Sequence, residues 1–334
     1  MSTEVLSLSH AAAPARLLDR HAVRLGLAFA AAAVAIASDM LLPRAIEQKE
    51  VDLPYFTLAL ALSAAIYAAV VIGGRWRPGW RKAALYRAPF YGGVVLALAA
   101  ANLLTAKFAV LPVLYFPAPD RILAVLVEDF AYLMTCAAYS YRLLLLGWFF
   151  GALAGIGCGI LLGFSRTAAY WLAPFIRGIG PIPSTAWIPL VLVAFPTVVS
   201  GSVFLIALSV WFPTTVLTSS GIANIRNSYF EVGSTLGASK FYQIVHIGIP
   251  AALPSVFLGL FNGTCASFIT LVTAEMLGAK YGLGWYINWQ KEMMAYSNVY
   301  AGLLLIAVSF YLLMTGLFRF RDHVLSWQKG VIKW

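Results

Sequence analysis

Residues 178–225 read GIGPIPSTAWIPLVLVAFPTVVSGSVFLIALSVWFPTTVLTSSGIANI, 48 positions without one formal charge between Arg177 and Arg226. Soluble domains do not carry such a run, because about a quarter of their residues are charged. A bilayer accommodates it, since a helix needs roughly 20 apolar residues to span the hydrocarbon. The stretch is long enough for two crossings, with Pro196-Thr-Val-Val-Ser-Gly201 as the turn between them. The same reading works outward. Further runs occupy 25–43, 55–74, 88–106, 143–165, 253–274 and 299–318, and Asp39 is the one charge within them. Eight spans are expected, in an all-α polytopic membrane protein. Composition agrees: 61% of the 334 residues are hydrophobic, 11% are charged, and the mean hydropathy is +0.84. A soluble globule and a disordered chain are both excluded.

Eight crossings put both termini on one side. With that side as the cytoplasm, segments 1–24, 75–87, 166–177, 222–246 and 319–334 hold 16 of the 23 Lys and Arg and carry a net +12, leaving −2 elsewhere. This is the positive-inside bias. It accounts for the net charge of +10 without a nucleic-acid partner. Residues 44–54 and 111–141 then lie outside. The cluster Arg75-Trp-Arg-Pro-Gly-Trp-Arg-Lys82 fixes topology or touches anionic membrane lipid. The basic start and apolar run reach Ala35-Ile-Ala37, a small-residue pattern of signal cleavage. The run continues to Leu42, so an uncleaved span is expected. Pro112, Pro117 and Pro119 break the chain after the third span, and Asp120 to Met134 mixes apolar residues with Arg121, Glu128 and Asp129. An outer loop followed by an amphipathic interfacial helix is expected there.

The cytoplasmic loop 222–250 reads IANIRNSYFEVGSTLGASKFYQIVHIGIP. Two short helices fit it. Gly237 ends the first, as a glycine past a helix end adopts left-handed backbone without a Cβ penalty. Ser239 caps the second. Pro250 and Pro254 restart the chain at the membrane. The product is a compact knob, held outside the bilayer.

This loop resembles the EAA loop of bacterial ABC-importer permeases, whose pattern is Glu-Ala-Ala, three residues, Gly, nine residues, Ile-x-Leu-Pro. Here it is Glu231-Val-Gly233, three residues, Gly237, nine residues, Ile247-Gly-Ile249-Pro250. Val232, Gly233 and Ile249 depart from it by small apolar changes. Leu111-Pro, Phe116-Pro-Ala-Pro119, Ile182-Pro-Ser-Thr-Ala-Trp-Ile-Pro189, Ala274-Glu-Met276 and Gly282-Leu-Gly284 look like signatures of the nitrate/sulfonate/taurine-type subfamily. Phe195-Pro-Thr-Val-Val-Ser-Gly201 departs from its shorter Phe-Gly turn.

The resemblance covers about residues 108–334. It implies a type I six-helix permease domain over 88–334; the two-helix membrane segment over 1–87, with its basic cytoplasmic loop, is extra, and the resemblance says nothing about it. The resemblance implies a multi-pass protein of the bacterial inner membrane. The partners it implies are a cytoplasmic ABC ATPase dimer, a second permease copy in a homodimer, and an extracytoplasmic solute-binding protein. Glu231, Gly237, Ala238, Ser239, Ile247 and Pro250 are the implied ATPase-coupling residues; Glu231 orders the first helix or bonds the partner. The implied cargo is a small polar solute, an anion such as a sulfonate, taurine or nitrate. The two extra spans are expected at the periphery, outside the pathway.

Chemistry of other classes is missing from the sequence. No Gly-x-x-x-x-Gly-Lys-Ser/Thr loop occurs, so this chain is not expected to hydrolyse ATP; the resemblance implies that ATP and Mg are bound by the partner ATPase and that this chain has no cofactor of its own. Cys136, Cys158 and Cys265 lie far apart, so neither a metal site nor a catalytic residue is expected. His10, His21, His246 and His323 all lie outside the spans, which leaves no histidine proton relay. The alternative, an ion-gradient-driven secondary transporter or channel, finds no mid-membrane carboxylate and leaves the loop unexplained. Within the spans, Gly151, Gly155, Gly159 and Gly163 recur every fourth residue on one helix face and permit close helix packing, static or sliding. Asn262, Ser267, Thr270 and Thr273 share one sector of a helical wheel. They line a pathway or bond their own backbone. Glu275 ends that span and needs a partner, with Lys280 and Lys291 in reach and a gate as its functional reading.

Overall fold

The computed structural model describes residues 13–45, 53–74 and 76–328. The expectations for residues 46–52, Arg75 and both chain ends (1–12 and 329–334) lie outside the described residues. Every regular element among the described residues is helical: α1 (Ala13–Leu41), α2 (Tyr55–Gly73), α3 (Pro78–Asn102), α4 (Pro119–Glu128), α5 (Phe130–Phe164), α6 (Arg166–Ile179), α7 (Ile188–Ala194), α8 (Val198–Ala223), α9 (Asn227–Thr235), α10 (Lys240–Gln243), α11 (Ile249–Gly278), α12 (Leu283–Glu292) and α13 (Tyr296–Val324). Among the described residues seven continuous helical stretches are long and apolar enough to cross a membrane, and with the pair bent by 85°, Arg166–Ile179 and Ser184–Ala194, counted as one broken span the number is eight.

Two compact units divide the chain. The first comprises Met1–Asp129 with Met294–Ala301. Here α3 packs along α1. Alanines make the approach possible: Ala28, Ala32 and Ala35 of α1 are buried, and Gly92 of α3 faces the backbone of Ala28. Phe56, Leu60, Val95 and Ala99 complete this apolar cluster. A polar cluster lies at the ends of these helices. A π-helical turn at Leu103–Lys107 follows α3, and Lys107 is buried. Lys107 Nζ lies 3.1 Å from Asp39 Oδ1 and donates to the carbonyls of Asp39 (2.6 Å) and Leu42 (2.9 Å). Asn102 Nδ2 and Thr57 Oγ1 donate to the Asp39 carboxylate at 2.8 and 2.5 Å. A charge in a span is kept by such partners. The amphipathic helix expected after the prolines is α4, but its first acid is not at a surface. Asp120 is 1% exposed, pairs with Arg44 and accepts from Phe56 N at 2.5 Å.

The second unit comprises Phe130–Met293 with Gly302–Trp334. Its axis is α8. Gly147, Gly151, Gly155, Gly159 and Gly163 of α5 face, in turn, Ile206, Val210, Thr214, Thr218 and Ile222 of α8. Both series rise together, so α5 and α8 run parallel. The chain between them must return from the end of α5 to the start of α8. The bent pair α6 and α7 makes that return. Sequence places this crossing at 178–195, but it starts at Arg166 and is broken at Gly180-Pro181-Ile182-Pro183. Proline removes an amide donor and pushes its predecessor out of helical backbone. The fourth span also starts earlier than expected, at Phe130 instead of residue 143, because the charged Arg142 stays exposed and does not end the helix. On the other side of α8, Gly259 and Gly263 of α11 approach Thr214 and Val210, and Gly221 approaches Ser255, an antiparallel pair. Phe268 packs on Phe310 and Phe257 on Phe320, so α13 runs antiparallel to α11.

Candidate functional site

The ends of α5, α8 and α13 and the start of α11 meet at one end of the second unit, and the 222–250 loop sits there. Its first helix is α9. Gly237 follows with φ +78°. Gly237 N donates to Ser234 O (3.0 Å) and Ala238 N to Gly233 O (2.9 Å). These two bonds form a Schellman turn, which requires left-handed backbone at residue 237. A Cβ on Gly237 would meet no atom within 4 Å, so glycine is there for its backbone and not for space. Ser239 Oγ accepts from Tyr242 N at 3.3 Å and starts α10. Gln243 Nε2 donates to Ser234 Oγ and to Ala238 O, both at 3.0 Å, and ties the two helices together.

The sequence reading of two helices about Gly237 and Ser239 therefore matches the geometry, with one correction. The chain does not restart at Pro250. A π-helical turn, Ile244–Gly248, joins α10 to α11, with Ile249 N donating to Ile244 O. The wider turn lets the helix run through Pro250, and helical structure continues from Lys240 to Met276. Ile247 faces Gly233, where a Cβ would lie 3.0 Å from its Cδ1. A methyl group at residue 233, as in the motif, would need Ile247 Cδ1 to shift by a few tenths of an ångström. Phe164 at the end of α5 packs against Gly248 and edge-on against Phe230, fixing the loop to the spans. Glu231 is exposed, as are Val232, Leu236, Phe241 and Tyr242. Their exposed faces form an apolar knob with a single acid.

A cleft of about 340 Å³ opens beside the break between α6 and α7. It is lined by Gly180 to Thr185, by Ser209, Trp211 and Phe212 of α8, and by Asn262, Ala266, Ile269 and Thr270 of α11. Ser184 Oγ and Thr270 Oγ1 share a hydrogen bond of 2.6 Å. No charged side chain lines it. The structure separates the four residues of the polar sector. Asn262 and Thr270 line the cleft, whereas Ser267 is fully buried and bonds Thr264 O (2.7 Å) and Thr273 bonds Ile269 O (2.8 Å). Ser184, Thr185 and Ser209 were not legible as lining; the Pro181-Ile-Pro183 pair was the available signal of a break there.

Glu275 lies away from the cleft lining. It is 0% exposed, and its polar partners are Ser140 and Gly284, not Lys280 or Lys291. Among the described residues, no group of three or more His, Cys, Asp or Glu is placed to hold a metal.

A family model described as "Binding-protein-dependent transport system inner membrane component" matches residues 151–329. The chain is similar to the taurine transport system permease protein of Escherichia coli (strain K12), with 30% identity over 225 residues, 65% of this chain and 82% of that protein. The putative aliphatic sulfonates transport permease protein of Bacillus subtilis (strain 168) is 32% identical over 163 residues, 49% of this chain and 59% of that one. The nitrate import permease protein of Leptolyngbya laminosa is 31% identical over 150 residues, 45% and 54% of the two chains. Among solved structures, the inward-facing MetNI methionine ABC transporter (CY5 native crystal form) covers 59% of this chain and 98% of the matched chain at a TM-score of 0.51 and 18% identity, a likeness of fold.

Proposed function

The chain belongs to the family of binding-protein-dependent transport system inner membrane components, and from that premise we propose that it couples a separate ATPase to the import of a small oxyanion. The observation that carries the coupling is the knob. Its helices meet at an enforced left-handed turn, present exposed Val232, Leu236 and Phe241, and stay attached to the spans through Phe164 and the continuous helix at 240–276. A rigid protrusion with an apolar tip suits a cleft on a cytoplasmic ATPase. Closure of an ATPase dimer would draw two knobs together, so two copies of this chain, as a homodimer, are implied. ATP and Mg are held by the ATPase. Gly237, Ala238 and Ser239 set the turn, Ile247 and Pro250 join it to the span, and Glu231 faces the partner.

The knob side is the cytoplasm in this proposal, and a solute-binding protein delivers cargo to the opposite side. The cleft beside the helix break is the pathway candidate. The Asn262 amide can donate to an oxyanion there without the tight hold of a fixed cation, and the hydroxyl groups of Ser184, Ser209 and Thr270, which bond one another or backbone carbonyls in this state, can do so on rotation. The glycine contacts between α5 and α8 hold this scaffold. Relatives named for taurine, sulfonates and nitrate support a small-anion cargo.

Vesicles reconstituted with this chain, its ATPase and the binding protein test the proposal. ATP-dependent uptake of taurine, an alkanesulfonate, nitrate or another small oxyanion is expected. Uptake of a peptide, a metal ion or a large sugar, with none of these anions, overturns the cargo assignment. Uptake without ATP, driven by an ion gradient, overturns the mechanism.

A further inference from the structure

Three helices, one of them distant in sequence from the other two, converge on one buried carboxylate. Ser140 stands near the start of α5, Glu275 near the end of α11, and Gly282-Leu283-Gly284 at the start of α12. Ser140 Oγ donates to Glu275 Oε1 at 2.7 Å, Leu283 N donates to Ser140 Oγ at 2.8 Å, and Gly284 N donates to Glu275 Oε2 at 2.8 Å. The three bonds close a ring through the peptide between residues 283 and 284. Two of its donors are amides at the start of α12, which no helical carbonyl could satisfy.

Gly282 makes room for the carboxylate, and Gly284 lets α12 approach the backbone of α11. Gly282 has φ +137°, and a Cβ on it would lie 2.5 Å from Glu275 Cδ. A Cβ on Gly284 would lie 2.6 Å from the carbonyl oxygen of Val272. The adjoining cavity is about 10 Å³, at the lower limit for one water. Both carboxylate oxygens are engaged in the ring and the side chain is 0% exposed, so Glu275 is not placed to meet a solute. The carboxylate must serve the elements around it.

Those elements bear on the knob. From Lys240 to Met276 the backbone is helical throughout, about 54 Å at 1.5 Å per residue. The knob's second helix and Glu275 are thus opposite ends of one helix. We propose that Glu275 is a positioning residue: it clamps α5 and α12 to the far end of the helix that begins in the knob, so that a displacement of the knob arrives there as a joint movement of three elements. Without the clamp, α12 is free to stay behind while α11 moves. This inference rests on the coupling function proposed above.

The test uses the full complex of permease and ATPase in lipid nanodiscs, with Mg-ATP and vanadate as the probe. Spin labels at residue 236 report the knob-to-knob separation between permease copies, and labels at residue 292 report the far-end separation. In the wild type both separations change on trapping. In Glu275→Ala the knob change is retained and the far-end change is lost, while Ser140→Ala, which keeps the bond from Gly284 N to the Glu275 carboxylate, and Glu275→Gln, which keeps one acceptor, each retain part of it. Ser140→Ala carries the test if the Glu275 variants fail to assemble. A full far-end change in Ser140→Ala and in any assembled Glu275→Ala complex overturns the clamp. A wild-type knob separation that does not respond overturns the coupling function itself, a result distinguishable from failure of the clamp.

Discussion

Gly155→Ala adds one methyl group where α5 and α8 touch, and its effect can be worked from the contact. The new Cβ would lie 2.8 Å from Thr214 Cβ and 2.9 Å from the Trp211 carbonyl oxygen. Carbon atoms rest about 3.5–4.0 Å apart, so the helices must part locally by roughly 0.7–1 Å, and a gap of that size forfeits a quarter to a half of each contact's attraction. The loss extends to neighbouring rungs, since Gly151 and Gly159 share the same interface. Overpacking of this kind costs about 1–3 kcal/mol. The better helix propensity of alanine offsets about 1 kcal/mol of it. A net destabilisation of about 0–2 kcal/mol is expected, and Gly155→Leu should be worse. Gly157 is the control. It lies on the same helix with nothing within 4 Å of a Cβ, so Gly157→Ala should stabilise by up to about 1 kcal/mol. Denaturant titration of the purified protein in bicelles measures both. Shifts of the same sign and size in the two alanine variants would refute the close-contact argument.

Three further predictions concern other parts of the chain. Gly237→Val strains only the backbone, by about 1 kcal/mol or more, since the site is open; the spans should insert normally while cargo-stimulated ATP hydrolysis falls, and Gly237→Asn should recover much of it. Normal stimulation in the valine variant would remove the turn from the mechanism. Asp39→Ala leaves Lys107 buried without its carboxylate and should destabilise by about 3–5 kcal/mol, whereas the double change Asp39→Leu with Lys107→Met should recover most of the loss; a double variant no better than the single would show that the pair is not one unit. A single cysteine at position 114, in a background lacking Cys136, Cys158 and Cys265, should react with an impermeant maleimide on intact cells and one at position 230 should not. The reverse labelling inverts the topology.

Charge-free runs revealed most of the spans because the penalty for charge in hydrocarbon is large and local. The second span was legible to within a residue, 55–74 against Tyr55–Gly73. The same criterion misjudged ends wherever a charge could reach outward. Arg142 is exposed on a helix that began twelve residues earlier, and Arg166 and Arg177 bracket a helix that returns the chain. The knob was legible because Gly237 and Ser239 act through their own backbone and nearest neighbours. Partners of buried charge were not. Ser140 and Glu275 stand 135 residues apart, Asp39 and Lys107 68 apart, and no periodicity links such positions. Helical angle placed Ser267 beside Thr270, but it does not reveal which neighbouring helix covers it.

The ion pair of the first unit also imposes a timetable on synthesis. Lys107 is made 68 residues after Asp39, about 3–14 s later at ribosomal speeds of 5–20 residues per second. Through that interval α1 carries a carboxylate with no counter-ion, at an insertion penalty of up to about 2.5–3.5 kcal/mol. Thr57, 18 residues downstream of Asp39, is the first of its side-chain partners to emerge, followed by Asn102 and then Lys107. The carboxylate of the first helix therefore gains its full set of partners only after the third helix has been made, and the final packing of α1 is tied to that later step.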